Sequence, residues 1–225
     1  MTRRLSITWP DARPFAGRQE PIRILAASDE PDPFLDDARN RDALGRLDLI
    51  VGCGDLAPDR IDFLGEAFSA PIVFVRGNHD RGGPWPNPPA VPEPSSGPDL
   101  RSFAPVPLLA LPWPGRERDH ARRNDRSGWA QVLTLAGPWL VRAPDAPAIV
   151  ISHAPPLGAN DNPADPYHRG FAAYRFLLDR LSPPLWLHGH AALAATTTWH
   201  CRYRSTTLVN VTGSVLVEID PPAGE

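Results

Sequence analysis

An α/β fold with parallel strands is predicted by the first third of the chain. Apolar strand-like runs alternate with amphipathic helical patterns, and the strands fall at 22–27, 49–51 and 71–75. Between them, helical patterns run from Pro33 to Leu47 and from Pro58 onward. A β-α-β-α-β order favours parallel strands joined by right-handed crossovers. Ligands of such sheets gather at the carboxyl ends of the strands.

Length and composition set the broad class of the protein. A chain of 225 residues suits one large domain or two small ones. Its net charge of −3 gives no reason to expect binding to nucleic acid or to an anionic membrane. No apolar run approaches the roughly 20 residues that span a bilayer, and two cysteines do not make a disulfide framework. We expect a cytoplasmic location.

We predict a single domain over residues 21–220, preceded by an N-terminal arm or loose strand at 1–20 and followed by a flexible tail at 221–225. Further strands are expected at 106–111, 148–151 and 185–187, with a helix at 171–181. Alternating patterns at 196–199, 207–211 and 214–219 predict antiparallel strands. Residues 84–107 hold nine prolines and predict an extended segment, either a lid or a binding surface.

Polar residues follow several of the predicted strands. Each has an ordinary explanation when taken alone: Asp55 as a helix cap, Asn78 as a turn residue, and His153 and His190 as core histidines. Taken together, these residues place a potential metal ligand at the end of each of four predicted strands. Aspartate, asparagine and histidine select a divalent ion such as manganese, iron or zinc. The sequence therefore predicts a metal site at this end of the sheet.

The motifs Gly54-Asp55, Gly77-Asn78-His79-Asp80 and Gly189-His190, with His153 after a strand, resemble those of the calcineurin-like metallophosphoesterase family. The resemblance runs from Asp29 to His190. It implies a four-layer α/β/β/α sandwich, made of two packed mixed β-sheets flanked by helices. It also implies a metal-dependent phosphatase or phosphodiesterase acting on a small-molecule phosphate ester.

By this resemblance, one metal position takes Asp55, Asn78, His153 and His190. The other takes Asp29, Asp55 as a bridge and two histidines, but Pro31 and Ala192 stand where those histidines belong. Both replacements fall on the same metal position. We therefore expect one bound ion, with the second position weakened, rebuilt or absent.

Three residues are candidates for rebuilding the second position: Asp32, Glu30 and His168. Each also has an ordinary role open to it, as a helix cap, a surface acid, and a loop residue or substrate contact. For catalysis, the resemblance implies that His79 acts as the general acid. Asp80 is expected to accept a hydrogen bond from the His79 ring and to orient it.

Two functions remain open from the sequence. The His79–Asp80 pair favours a hydrolase of a phosphomonoester or phosphodiester. Pro31 and Ala192 favour a weak or inactive relative that binds a ligand or a protein. A nuclease is disfavoured because the chain lacks a stripe of basic and aromatic residues. The sequence carries no signal for the oligomeric state.

Overall fold

Two β-sheets stand at the centre of the computed structural model, which describes residues 2–80, 92–99, 106–114, 124–193 and 198–222. The first sheet contains, in spatial order, β1 (Arg3–Thr8), β11 (Gly213–Asp220), β2 (Ile22–Ser28), β3 (Leu49–Gly52) and β4 (Ile72–Phe74). The second contains β5 (Gly97–Asp99), β6 (Leu108–Leu111), β7 (Ile149–Ser152), β8 (Leu185–His188), β10 (Thr206–Asn210) and β9 (His200–Tyr203).

Helices cover the outer face of each sheet. The first sheet packs against α2 (Pro58–Phe68) and the segment around α1 (Ala38–Asp42), through a cluster that includes Leu25, Ile61 and Leu64. The second sheet packs against α3 (Asp125–Leu135), α4 (Gly137–Val141) and α5 (Ala172–Leu181). This arrangement confirms the expected four layers. Of the helices described, none has the length and apolarity to cross a membrane.

Besides the clusters under the helices, the largest hydrophobic cluster of the described residues lies between the two sheets. In β2, Ile24 and Ala26 face this central core, whereas Leu25 and Ala27 face the helices. This alternation is the two-residue period of a strand. Strands buried on both faces read as unbroken apolar runs, which is why they are visible in the sequence.

Strand direction brings the functional end of both sheets to the same edge. In the first sheet β2, β3 and β4 are parallel, and in the second β6, β7 and β8 are parallel. The sequence predicts antiparallel C-terminal strands, and each of β10 and β11 is antiparallel to one of its two neighbours. β10 is antiparallel to β9 but parallel to β8, and β11 is antiparallel to β2 but parallel to β1.

One local prediction needs correction. The helix predicted over Pro33–Leu47 is divided into a 3-10 turn at Pro33–Asp36 and the short α1, because the side chains of Asp32 and Asp37 each cap one piece. Of the two alternatives predicted for residues 1–20, an arm or a loose strand, the structure has a strand, since β1 pairs with β11 at the edge of the first sheet. Much of the proline-rich segment lies outside the described residues, apart from β5 and its neighbours.

The outer core of the first sheet generates a stability prediction. Leu216 in β11 has no exposed surface, so Leu216→Ala should destabilise the protein by about 2–5 kcal/mol through lost burial and a cavity. Leu133→Ala, at a side chain that is 63% exposed, is the matched control and should stay within about 0.5 kcal/mol. Denaturant unfolding measures both, and equal midpoints for the two variants would contradict this packing.

Candidate metal centre

Five polar residues meet at the shared edge of the two sheets. Asp29, Asp55 and Asn78 follow β2, β3 and β4 of the first sheet, while His153 and His190 follow β7 and β8 of the second. One ligand atom each from Asp29, Asp55 and His153 lies within 4.8 Å of the other two. The fold therefore gathers these side chains from distant parts of the chain.

The ring of His153 is the best test of whether a metal fits here. Its Nδ1–H donates to the carbonyl oxygen of Cys53 at 2.7 Å. Its Nε2 lies 2.8 Å from Oδ1 of Asn78 and 3.3 Å from Oδ2 of Asp55. A neutral ring would turn a lone pair toward both oxygens, so a proton or a cation must lie among them. Carboxylate oxygen, amide oxygen and imidazole nitrogen suit a divalent ion.

The pKa values of this pair follow from the same contacts. Burial alone would lower the pKa of His153, but its hydrogen bond to Asp55 and the charges of Asp29 and Asp55 raise it to about 9. Burial tends to raise the pKa of Asp55, yet the hydrogen bond from His153 lowers it overall. Without a metal, the imidazolium form of His153 supplies the positive charge that the two carboxylates require.

His190 is held by two other contacts. Its Nε2–H donates to the carbonyl oxygen of Tyr167 at 2.9 Å, which leaves the lone pair on Nδ1. Its backbone N–H donates to Oδ2 of Asp29 at 3.0 Å. Burial and the charge of His153 lower the pKa of His190 to about 3, so the ring is neutral as a metal ligand must be. The Trp113 ring packs against it at 4.7 Å between centroids.

Three of these positions have left-handed backbone conformations. The φ angles are 59° for Asp29, 54° for Asp55 and 61° for His190. Non-glycine residues seldom adopt such angles, and those that do cluster at functional sites. The strands therefore end in sharp turns that aim the side chains back toward one another.

Two glycines allow the turns to approach the carboxylates. A Cβ at Gly77 would collide with the Asp55 carboxylate and lie 2.6 Å from the Asp55 backbone nitrogen. A Cβ at Gly189 would lie 2.5 Å from Oδ2 of Asp29. The glycines of both motifs are thus required by space beside the ligands.

The predicted hydrogen bond between His79 and Asp80 is wrong. Oδ2 of Asp80 accepts instead from the backbone N–H groups of Asp55 at 2.8 Å and Gly77 at 2.6 Å. Within the described residues, no hydrogen bond joins the two side chains. Burial raises the pKa of Asp80 despite these bonds. Asp80 therefore links the turn at Asp55 to the turn at Gly77. The His79 side chain is exposed beside these turns, and its backbone N–H donates to Oδ1 of Asp55.

Tyr167 is the partner of His79 that sequence patterns did not reveal. Its hydroxyl accepts from Nδ2 of Asn78 at 2.7 Å and lies 3.2 Å from Nε2 of His79. Burial and the charge of Asp55 raise the pKa of Tyr167, so it remains a neutral phenol. Three further contacts support the site: Trp113 packs on His190, and the hydroxyls of Ser28 and Thr212 donate to Asp29. No sequence pattern predicts these contacts, because they depend on tertiary packing.

The candidates for rebuilding the second metal position have other roles. Asp32 accepts from the Phe34 backbone N–H at 3.0 Å and from the Ser214 hydroxyl. His168 lies at the side of the site, with its ring centroid 5.1 Å from that of His190, and its Nδ1–H donates to Asp165 at 2.5 Å. Three residues at this position are exposed: Glu30, Pro31 and Ala192.

His188, which precedes the Gly-His pair, lies in the core. Its Nδ1–H donates to the carbonyl oxygen of Gly189 at 3.0 Å, and its Nε2 accepts from Asn160 at 3.2 Å. Burial lowers the pKa of His188 to about 4, so it is a neutral, satisfied core residue.

Comparisons with known proteins agree with this geometry. The model of the calcineurin-like phosphoesterase family matches residues 22–192. TT1561 of Thermus thermophilus superposes with a TM-score of 0.55 at 17% identity, over 86% of this chain and 90% of that one. Phosphopantetheinyl hydrolase of Mycobacterium tuberculosis superposes with a TM-score of 0.54 at 13% identity, over 89% of this chain and 96% of that one. At these identities the structures show similarity of fold alone. No curated protein sequence matches the chain.

The close approach at Gly77 generates a prediction. Gly77→Ala should push the Asp55 carboxylate away from His153, costing about 1–3 kcal/mol of stability as overpacking does and weakening metal binding. Gly137→Ala is the control, because a Cβ there meets nothing within 4 Å. Denaturant unfolding and manganese titration measure the two effects. A Gly77→Ala protein that binds manganese like the wild type would contradict the described contact.

Proposed function

The chain belongs to the calcineurin-like phosphoesterase family, and we propose that it hydrolyses phosphate esters with a single divalent ion. Membership implies metal-dependent phosphoester hydrolysis in general. The observation that carries the one-ion proposal is the convergence of His153 Nε2 on the oxygens of Asn78 and Asp55. We propose His190 as a further ligand through Nδ1, the ring nitrogen that its bond to the Tyr167 carbonyl leaves with a lone pair. The Asp29 carboxylate lies in the same cluster as Asp55 and His153 and belongs to the second position.

The ligand set supports an ion that binds both oxygen and nitrogen. Manganese, iron and zinc all accept carboxylate, amide and imidazole ligands. When bound, such an ion polarises a phosphate oxygen and lowers the pKa of a bound water. The protein's own contribution is to fix each ligand in advance, since the second nitrogen of both histidine rings donates to a backbone carbonyl.

Only one ion is proposed because the second position lacks its nitrogen ligands. Pro31 and Ala192 cannot coordinate a metal. Asp32 is committed to capping a 3-10 turn. Among the described residues, His168 is not one of the side chains that cluster with Asp29. Asp29 remains, but its Oδ2 already accepts from the Ser28 hydroxyl and the His190 backbone. One carboxylate with a shared oxygen is a poor site for a second ion.

His79 is proposed as the general acid. Its side chain is exposed at the mouth of the site, and its backbone is held by Oδ1 of Asp55. A leaving-group oxygen near the ion therefore lies within its reach. Asp80 acts on the acid only indirectly, by holding the Gly77 turn from which His79 projects. The expected substrates are small phosphate monoesters or diesters.

A second candidate function is a binding module without turnover. The replacement of both second-position histidines by Pro31 and Ala192 supports it, because two-ion activation of the nucleophile is then lost. This candidate keeps the ion and the fold but predicts no hydrolysis with any metal. The two functions are separated by the following experiments.

Metal content tests the one-ion proposal. Protein loaded with manganese should hold about one ion per chain by elemental analysis, since we propose one ligand set, made of Asp55, Asn78, His153 and His190. The double variant Pro31→His with Ala192→His should bring the content toward two, because it restores two imidazoles beside Asp29. Two ions in the wild-type protein would refute the single-ion site.

Loss of His79 tests the enzyme itself. With an aryl phosphodiester or aryl phosphate as substrate, His79→Ala should lower kcat about 100-fold or more, the usual contribution of a general acid. Its manganese content should not change. His200→Ala, in β9 at the far edge of the second sheet, should leave kcat unaltered. Absence of turnover with manganese, iron and zinc in the wild-type protein would favour the binding module.

A further inference from the structure

The hydroxyl of Tyr167 lies between the proposed metal ligand and the proposed acid. It accepts a hydrogen bond from Nδ2 of Asn78 at 2.7 Å and lies 3.2 Å from Nε2 of His79. The bond to Nδ2 fixes the Asn78 amide so that its Oδ1 faces His153. One phenol is thus in contact with both groups that a substrate must reach.

The loop around Tyr167 is held firmly at the site. The Tyr167 backbone N–H donates to Oδ1 of Asp165 at 2.9 Å, and its carbonyl accepts from Nε2 of His190 at 2.9 Å. Its ring packs against the His190 ring at 5.4 Å between centroids. Further along, the Gly170 backbone N–H donates to Oδ2 of Asp161 at 3.0 Å. The hydroxyl position is therefore set before any substrate arrives, which is how donors act most strongly.

The position of this hydroxyl matches the path of a phosphate ester. A phosphate with one oxygen at the ion lies next to Asn78, and its leaving-group oxygen must come within hydrogen-bonding distance of His79. The Tyr167 hydroxyl is already within that distance of both residues. A phosphoryl group bridging them therefore passes directly beside the phenol.

We propose that Tyr167 is a catalytic residue whose hydroxyl donates a hydrogen bond to the phosphate of the substrate. This rests on the proposed phosphoesterase function. The hydroxyl keeps accepting from Asn78 and donates its hydrogen to a phosphate oxygen. His79, as the proposed general acid, carries its own proton on Nε2 and passes it to the leaving-group oxygen. The phenol supplies part of the stabilisation that an ion at the second position would otherwise give.

The test compares Tyr167→Phe with Tyr203→Phe on manganese-loaded protein. Tyr203 is the matched control, because its hydroxyl bonds Asp179 and Arg175 on α5, away from the metal centre. Three quantities are measured: kcat/KM for an aryl phosphodiester, the Kd of inorganic phosphate by calorimetry, and the Kd of manganese. Tyr167→Phe should weaken phosphate binding and kcat/KM by about 10- to 100-fold, as loss of a hydrogen bond to a charged group does.

The manganese Kd is measured first, because Tyr167→Phe also removes the bond to Asn78 and should weaken manganese binding by about 10-fold. Phosphate binding and kcat/KM are therefore compared with every variant saturated with manganese. Unchanged phosphate affinity in saturated Tyr167→Phe would overturn the proposal, as would a saturated wild-type protein that binds no phosphate. A wild type without turnover whose phosphate binding still depends on Tyr167 supports the contact and refutes the enzyme.

Discussion

The hydrogen bonds of His153 are the interaction on which the site depends. This residue follows β7 of the second sheet, yet its ring reaches the Cys53 carbonyl and Asn78, which follow β3 and β4 of the first. Asp29 makes the reverse connection by accepting the backbone N–H of His190. The two sheets are therefore joined by polar contacts at this edge and by apolar packing elsewhere. A buried polar network of this kind holds only when every member is satisfied.

The two replacements at the second metal position, Pro31 and Ala192, leave this network whole. Pro31 and Ala192 are exposed and take no part in the cross-sheet bonds. The Asp29 carboxylate, which the absent histidines would have flanked, keeps a structural use as the acceptor for Ser28, Thr212 and the His190 turn. Substitutions at these two exposed positions therefore leave the core beneath them undisturbed.

Much of the fold and the clustering of the site residues could be predicted, because buried parallel strands and the turns that follow them leave local signals. The alternation within β2 and the motif at Gly77–Asp80 are examples. Side-chain partners could not be predicted in the same way. Asp80 bonds two backbone amides in place of its neighbour His79, and Tyr167 reaches the site from a loop without a pattern. Such choices depend on distances that exist only after the sheets have packed.

The left-handed turns at Asp29, Asp55 and His190 place function and folding in opposition. Each conformation costs a non-glycine residue on the order of 1 kcal/mol, and glycine would adopt it freely. The backbone here favours a residue that cannot bind a metal, so the folded state bears a penalty at every one of these positions. This is the usual trade-off between a stable scaffold and a working site. Glycine at Asp29 or Asp55 would relieve this backbone cost but would remove the carboxylates that accept from the His190 and His79 backbones, so the network that joins the sheets also keeps these residues in place.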